Sequence, residues 1–201
     1  MSDVINKNNF LVKEHLGFFK AANNYDIYDP FSGEIIMECR EPSLSLITKL
    51  FRFIGFKTRT PFDIHIQTLD GERIVRIQRG WSFLLSKVVV TDENNNLIGR
   101  LKQKYWSLGG KFELIDESNQ ESLEVEAKSW VGWNFAIRKN FKDIASISKK
   151  FDAANFVKEM FTDADTYIVK ISDEVPPNDN TRKLILGSVM CIDMVLNEGD
   201  S

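Results

Sequence analysis

The stretch Leu184–Leu196 (LILGSVMCIDMVL) constrains everything else in the chain. Drawn as a helix it is apolar on every side, with only Ser188 and Asp193 interrupting. A helix with almost no polar face belongs inside a protein core or a membrane. Thirteen residues span about 20 Å, well short of the ~30 Å hydrocarbon core of a bilayer. A strand of about six residues also spans about 20 Å. The helix therefore has the length to be wrapped by a layer of short strands. Asn180 and Thr181 are placed to cap it, and Arg182 and Lys183 fall in its first turn. Leu184, Ile185, Val189, Ile192 and Asp193 are its expected core residues. Asp193 must be paired or reach a barrel mouth, because a lone buried carboxylate is costly.

The rest of the chain reads as those strands. Five units place turn formers between two β-prone runs: YDIYDPFSGEIIMECR, DIHIQTLDGERIVRIQR, KVVVTDENNNLIGRLKQ, KFELIDESNQESLEVEAK and NFAIRKNFKDIASISKK. Ile66, Val90, Leu114 and Ile137 recur at spacings of 24, 24 and 23 residues, which marks an array of one hairpin unit. Alternation such as Phe62, Ile64 and Ile66 against Asp63, His65 and Gln67 gives each strand one buried and one wet face. With Phe10 to Glu14 and Thr166 to Ile171 the count reaches about twelve strands. Closure into a barrel removes exposed edges. Twelve strands leave too wide a lumen for side chains alone to fill, so the apolar helix is the plug.

The expected architecture is thus mainly β: a closed antiparallel barrel of about twelve strands around a C-terminal helix. Short accessory helices are expected over Leu44 to Phe56 and from Asp152 to Phe161. Residues 1–9 read as a flexible tail and 10–201 as one barrel domain. Trp81, Trp106, Trp130 and Trp133 are expected to help fill the barrel.

With 43% hydrophobic and 27% charged residues the composition is globular. A net charge of −3 gives no whole-surface attraction to nucleic acid or anionic lipid, so any such attraction is local. Two cysteines outside any motif fit a reducing compartment, and the polar N-terminus is no signal peptide. His15 and His65 are the only histidines, and neither sits at metal-ligand spacing. No nucleophile elbow or phosphate loop is present, so no enzyme is expected.

One local patch stands out. Lys49, Arg52, Lys57 and Arg59 are interleaved with Phe51, Phe53 and Phe56, and no acidic residue lies between Glu41 and Asp63. A basic amphipathic segment of this kind can lie on an anionic membrane surface. A helix packed on the barrel with its charges in water is the plainer reading, and both are open. A second cluster, Asp163, Asp165 and Asp173 with Glu174, offers hard oxygen ligands suited to calcium. Against it, Ile168 occupies the position where a calcium loop needs glycine, and Thr166 to Ile171 reads as a strand.

The segment KEMFTDADTYIVKISDEVPPNDNTRKLILGSVMCIDMVL resembles the end of phospholipid scramblases, with their FTDAD turn (Phe161 to Asp165), one further strand, and a terminal apolar helix bearing Ile192-Asp193-Met194. The hairpins from Tyr25 to Lys150, including Ile98-Gly99-Arg100, fit the same family, and the chain looks closest to its short bacterial members. The resemblance implies the Tubby C-terminal-like fold. It also implies association with anionic or phosphoinositide lipid, lipid scrambling, and a calcium site at Asp163 and Asp165. The chain lacks the family's proline-rich arm and cysteine-rich segment, so lipid anchoring is not expected. The expectation is a monomeric cytoplasmic protein, peripheral at the inner membrane surface, with no nucleic-acid partner and no cofactor beyond that calcium. The alternatives are a soluble protein-binding scaffold barrel or an enzyme of unrecognised type.

Overall fold

A computed structural model describes residues 3–15, 24–42, 60–81, 87–103, 112–129, 133–149 and 166–196. Twelve antiparallel strands close into one barrel: β1 Asn9–Glu14, β2 Tyr25–Tyr28, β3 Ile35–Arg40, β4 Phe62–Gln67, β5 Arg73–Arg79, β6 Lys87–Asp92, β7 Leu97–Gln103, β8 Phe112–Asp116, β9 Glu121–Ser129, β10 Asn134–Lys139, β11 Lys142–Ser148 and β12 Thr166–Ile171. Each strand pairs with its sequence neighbours, and β1 closes the barrel on β12 through Phe10↔Val169 and Leu11↔Ile168. Period-2 patterning drives this. Phe62, Ile64 and Ile66 are buried, while Asp63, His65 and Gln67 face outward. Among the described strands no edge is left open to another chain.

The helix Asn180–Leu196 runs through the lumen and packs on β5, β6, β7, β8 and β12. Every side chain from Thr181 to Asp193 is buried. The helix starts earlier than the apolar run suggests. Asp179, not Asn180 or Thr181, caps it, its carboxylate accepting from the Thr181 N–H at 2.8 Å. Arg182 and Lys183 sit inside the protein because each finds partners there.

Up-and-down connectivity sorts the connections onto two mouths. The β2–β3, β4–β5, β6–β7, β8–β9 and β10–β11 turns share one mouth, as do residues 3–8 and the 172–179 loop that feeds the helix. The connections 15–24, 41–61, 80–86, 104–111, 130–133 and 149–165, most of them longer, all leave from the other.

The tail expected over residues 1–9 is corrected from Asp3 onward. Asp3–Asn6 forms a 3-10 helix, Ile5 is 1% exposed within the core, and β1 begins at Asn9. The physical reason is that the tight-turn mouth needs a lid where the helix enters. Asn6 and Asn178 bond each other there (3.1 and 2.7 Å), and the Ile171 N–H donates to the Asn8 carbonyl at 2.7 Å. Trp81 is also corrected: it is about half exposed rather than filling the barrel. Trp133 packs against the core, edge-on to Phe135. Trp106, Trp130 and both expected accessory helices lie outside the described residues.

Candidate functional site

With the helix packed inside the barrel, the candidate sites lie at the two mouths and on the outer wall. At the tight-turn mouth the helix is fastened by polar side chains. Arg182, 2% exposed, spends its guanidinium donors on carbonyls of Val175 (2.7 Å), Pro176 (2.9 Å), Asn6 (3.3 Å) and Lys7 (3.0 Å) and on Asn8 Oδ1 (2.8 Å). Burial lowers its pKa from the usual guanidinium value, offset by the charges of Asp173 and Asp179. Asn8 in turn donates to Asp173. Lys183 pairs with Glu93 at 2.8 Å with its own side chain only 3% exposed. The Thr181 hydroxyl donates to the fully buried Asp116 at 2.7 Å.

At the long-connection mouth the helix ends near a buried carboxylate. Asp193 accepts hydrogen bonds from the hydroxyls of Tyr25 on β2 and Tyr167 on β12. Burial, and then the Asp193 charge, push the Tyr25 hydroxyl well above its ordinary pKa, so it stays a donor. This resolves the cost of Asp193 as a clamp between the helix and two strands. Lys149 lies 4.2 Å from the Trp133 ring centroid and 5.3 Å from that of Tyr167. Arg79, 4% exposed, stacks on Phe62 at 4.6 Å and donates to the Thr60 carbonyl at 2.7 Å.

On the outer wall near the same mouth, Arg40 bonds Asp26 (2.8 Å) and Glu38 (2.6 Å), and His15 reaches Asp26. Burial raises the Asp26 carboxyl, but the His15 and Arg40 bonds outweigh it and the pKa is lowered. This cluster escapes sequence reading because its members lie on β2, on β3 and just past the end of β1, and meet only through register.

The basic patch Lys49, Arg52, Lys57 and Arg59 with Phe51 and Phe53 lies outside the described residues. Its flanking strands, β3 and β4, end and begin at the long-connection mouth. Asp163 and Asp165 also lie outside the described residues, before the start of β12. Asp173 follows the far end of β12, at the tight-turn mouth, where Asn8 engages it. A six-residue strand, about 20 Å long, stands between them. Among the described residues no group of three or more His, Cys, Asp or Glu is arranged to hold a metal ion. Leu184, Ile185, Val189, Ile192 and Asp193 are all buried in the central helix. Cys39 and Cys191 are buried free thiols; burial pushes Cys39 far above the usual thiol pKa and Cys191 up to about 12.

No curated protein and no solved structure matches the chain. The family model described as Scramblase matches residues 4–198, nearly the whole length. With a closed twelve-stranded barrel threaded by its C-terminal helix, the chain belongs to the scramblase family.

Proposed function

We propose that this protein is a peripheral, non-catalytic module that docks on anionic phospholipid through its long-connection mouth. The observation that carries this is an axial segregation of charge. The strand-to-strand connections at that mouth contain ten Lys or Arg and five Asp or Glu. The segments between elements at the tight-turn mouth contain nine carboxylates and one lysine. All four tryptophans also belong to connections at the long-connection mouth. Trp is favoured where an apolar body and a polar tip meet a membrane–water boundary.

The mechanism is attraction followed by shallow insertion. Each basic residue held near an anionic surface contributes about 1 kcal/mol, within a Debye length of about 8 Å at physiological salt. Lys49, Arg52, Lys57 and Arg59 supply the densest run of charge, with Phe51 and Phe53 as the inserting groups. The acidic mouth points away, because it would be repelled. No helix among the described residues is long and apolar enough to cross a membrane. The central helix is enclosed from Thr181 to Asp193 and presents no apolar face to lipid.

Sedimentation with vesicles tests the reading. The full chain should pellet with phosphatidylserine- or phosphoinositide-containing vesicles at low salt and not with neutral ones. Raising salt to about 0.5 M, where screening shortens to a few ångströms, should release it, as should changing Lys49, Arg52, Lys57 and Arg59 together to Glu. A wild-type chain that stays in the supernatant with every vesicle contradicts the proposal.

A further inference from the structure

Hairpin tips are ordinarily polar, because nothing packs on them. Two tips at the tight-turn mouth depart from this in the same way. The β2–β3 tip reads Phe31-Ser32-Gly33-Glu34 and the β4–β5 tip reads Leu69-Asp70-Gly71-Glu72. Each runs apolar, polar, glycine, glutamate, with the glycine in the left-handed region (φ 73° and 87°). Phe31 is 71% exposed and Leu69 59%. Strands β3 and β4 pair directly, so the two tips are neighbours on the rim. Ile35, at the start of β3, adds a third exposed apolar side chain between them.

Both tips are closed by hydrogen bonds of their own. The Asp29 carboxylate accepts from the N–H groups of Phe31 (2.7 Å) and Ser32 (3.3 Å). The Thr68 hydroxyl accepts from the Glu72 N–H at 3.0 Å. An apolar anchor on a pre-ordered turn loses little freedom on binding. The charge around the anchors is negative. Lys7 pairs with Asp29 at 2.8 Å, while the exposed Glu34 and Glu72 form no salt bridge among the described residues.

We infer that these paired tips are a docking site for a basic, apolar-bearing segment of a partner protein. Phe31 and Leu69 anchor its apolar side chains, and Glu34 and Glu72 meet its lysines or arginines. An anionic membrane is not the occupant, because the same glutamates repel it. The site is on the mouth opposite the proposed lipid face, so it stands or falls separately.

Panning a random twelve-residue peptide library on the full chain tests this. The wild type should enrich peptides with Lys or Arg next to Leu, Phe or Trp. By fluorescence anisotropy the enriched peptides should bind at least about tenfold more weakly to Phe31→Ser/Leu69→Ser and to Glu34→Lys/Glu72→Lys, as loss of anchor residues typically costs. Thermal unfolding of both variants should match the wild type, since the changed side chains are exposed. The inference is overturned if the wild type enriches no such motif, or if either variant binds the enriched peptides as tightly as the wild type. Neither variant should alter vesicle sedimentation, which keeps this result distinct from the lipid reading.

Discussion

Gly99 and Leu184 approach so closely that no methyl group fits between them. A Cβ on Gly99 would lie 2.5 Å from Leu184 Cδ2 and 2.6 Å from the carbonyl oxygen of Ile115. Gly99 on β7 is therefore where the wall touches the plug. Gly99→Ala forces either the helix or the β7–β8 pairing to move, and overpacking of this kind costs about 1–3 kcal/mol. Urea denaturation at constant slope would show it. A variant as stable as the wild type contradicts the packing described.

Gly187 is the control on the same helix. A Cβ there meets only ordinary contacts, 3.5 Å from Ile77 and 3.7 Å from Val90. Gly187→Ala should be neutral or stabilising by up to about 1 kcal/mol, from helix propensity. A loss as large as that of Gly99→Ala would mean that the helix is threaded with a different face toward β5 and β6.

The Asp193 clamp predicts a coupled loss. Tyr25→Phe and Tyr167→Phe each remove a donor from a buried carboxylate, a loss of about 1–3 kcal/mol. In a double-mutant cycle with Asp193→Asn, either tyrosine change should cost less than it does alone. Strict additivity would place the carboxylate elsewhere.

Arg182 should not tolerate lysine. A single ammonium cannot reach the Val175, Asn6 and Lys7 carbonyls and Asn8 together. Arg182→Lys is expected to lose about 2–4 kcal/mol, the range for breaking a buried polar network. Deleting residues 1–8 should also destabilise, because it strips acceptors from the same guanidinium. If that truncation unfolds at the wild-type midpoint, the N-terminal segment is no part of the fold.

Acid should loosen the outer wall at Asp63. The Arg76 guanidinium bonds both of its oxygens (2.9 and 2.7 Å) and holds its carboxyl below the usual range, against a smaller upward push from burial. A depressed folded pKa means the contribution is present above the unfolded value of about 3.9 and lost as pH falls through the folded one. Between pH 5 and pH 3 the wild type should therefore lose more stability than Asp63→Asn does. Equal pH slopes for the two would refute the assignment.

Much of the fold is legible in the residues because one repeated signal specifies it. The 24-residue hairpin period and the alternation at Phe62 to Gln67 lead to the strands, and the apolar helix leads to closure. What escapes is whatever depends on non-local pairing. Ile5 carries no periodicity in a polar segment, so its burial under the mouth is visible only once the helix entry is placed. Arg182 and Lys183 look like a solvated first turn, because their partners are carbonyls of Asn6 and Lys7 and the carboxylate of Glu93. The charge segregation has the same origin: neither mouth is a contiguous sequence, and each is assembled from every second connection.

The orientation on the membrane is the central claim, and site-specific labelling reads it directly. The native thiols of Cys39 and Cys191 are buried, so a cysteine introduced in place of exposed Trp81 or exposed Phe141 should take an NBD fluorophore selectively. Trp81 lies at the long-connection mouth and Phe141 in the β10–β11 turn at the other. On phosphatidylserine vesicles carrying a spin-labelled lipid, the fluorophore at position 81 should shift to the blue and be quenched, and the one at 141 should remain as in solution. Quenching at 141 instead, or equal quenching at both positions, would contradict an end-on dock through the basic mouth.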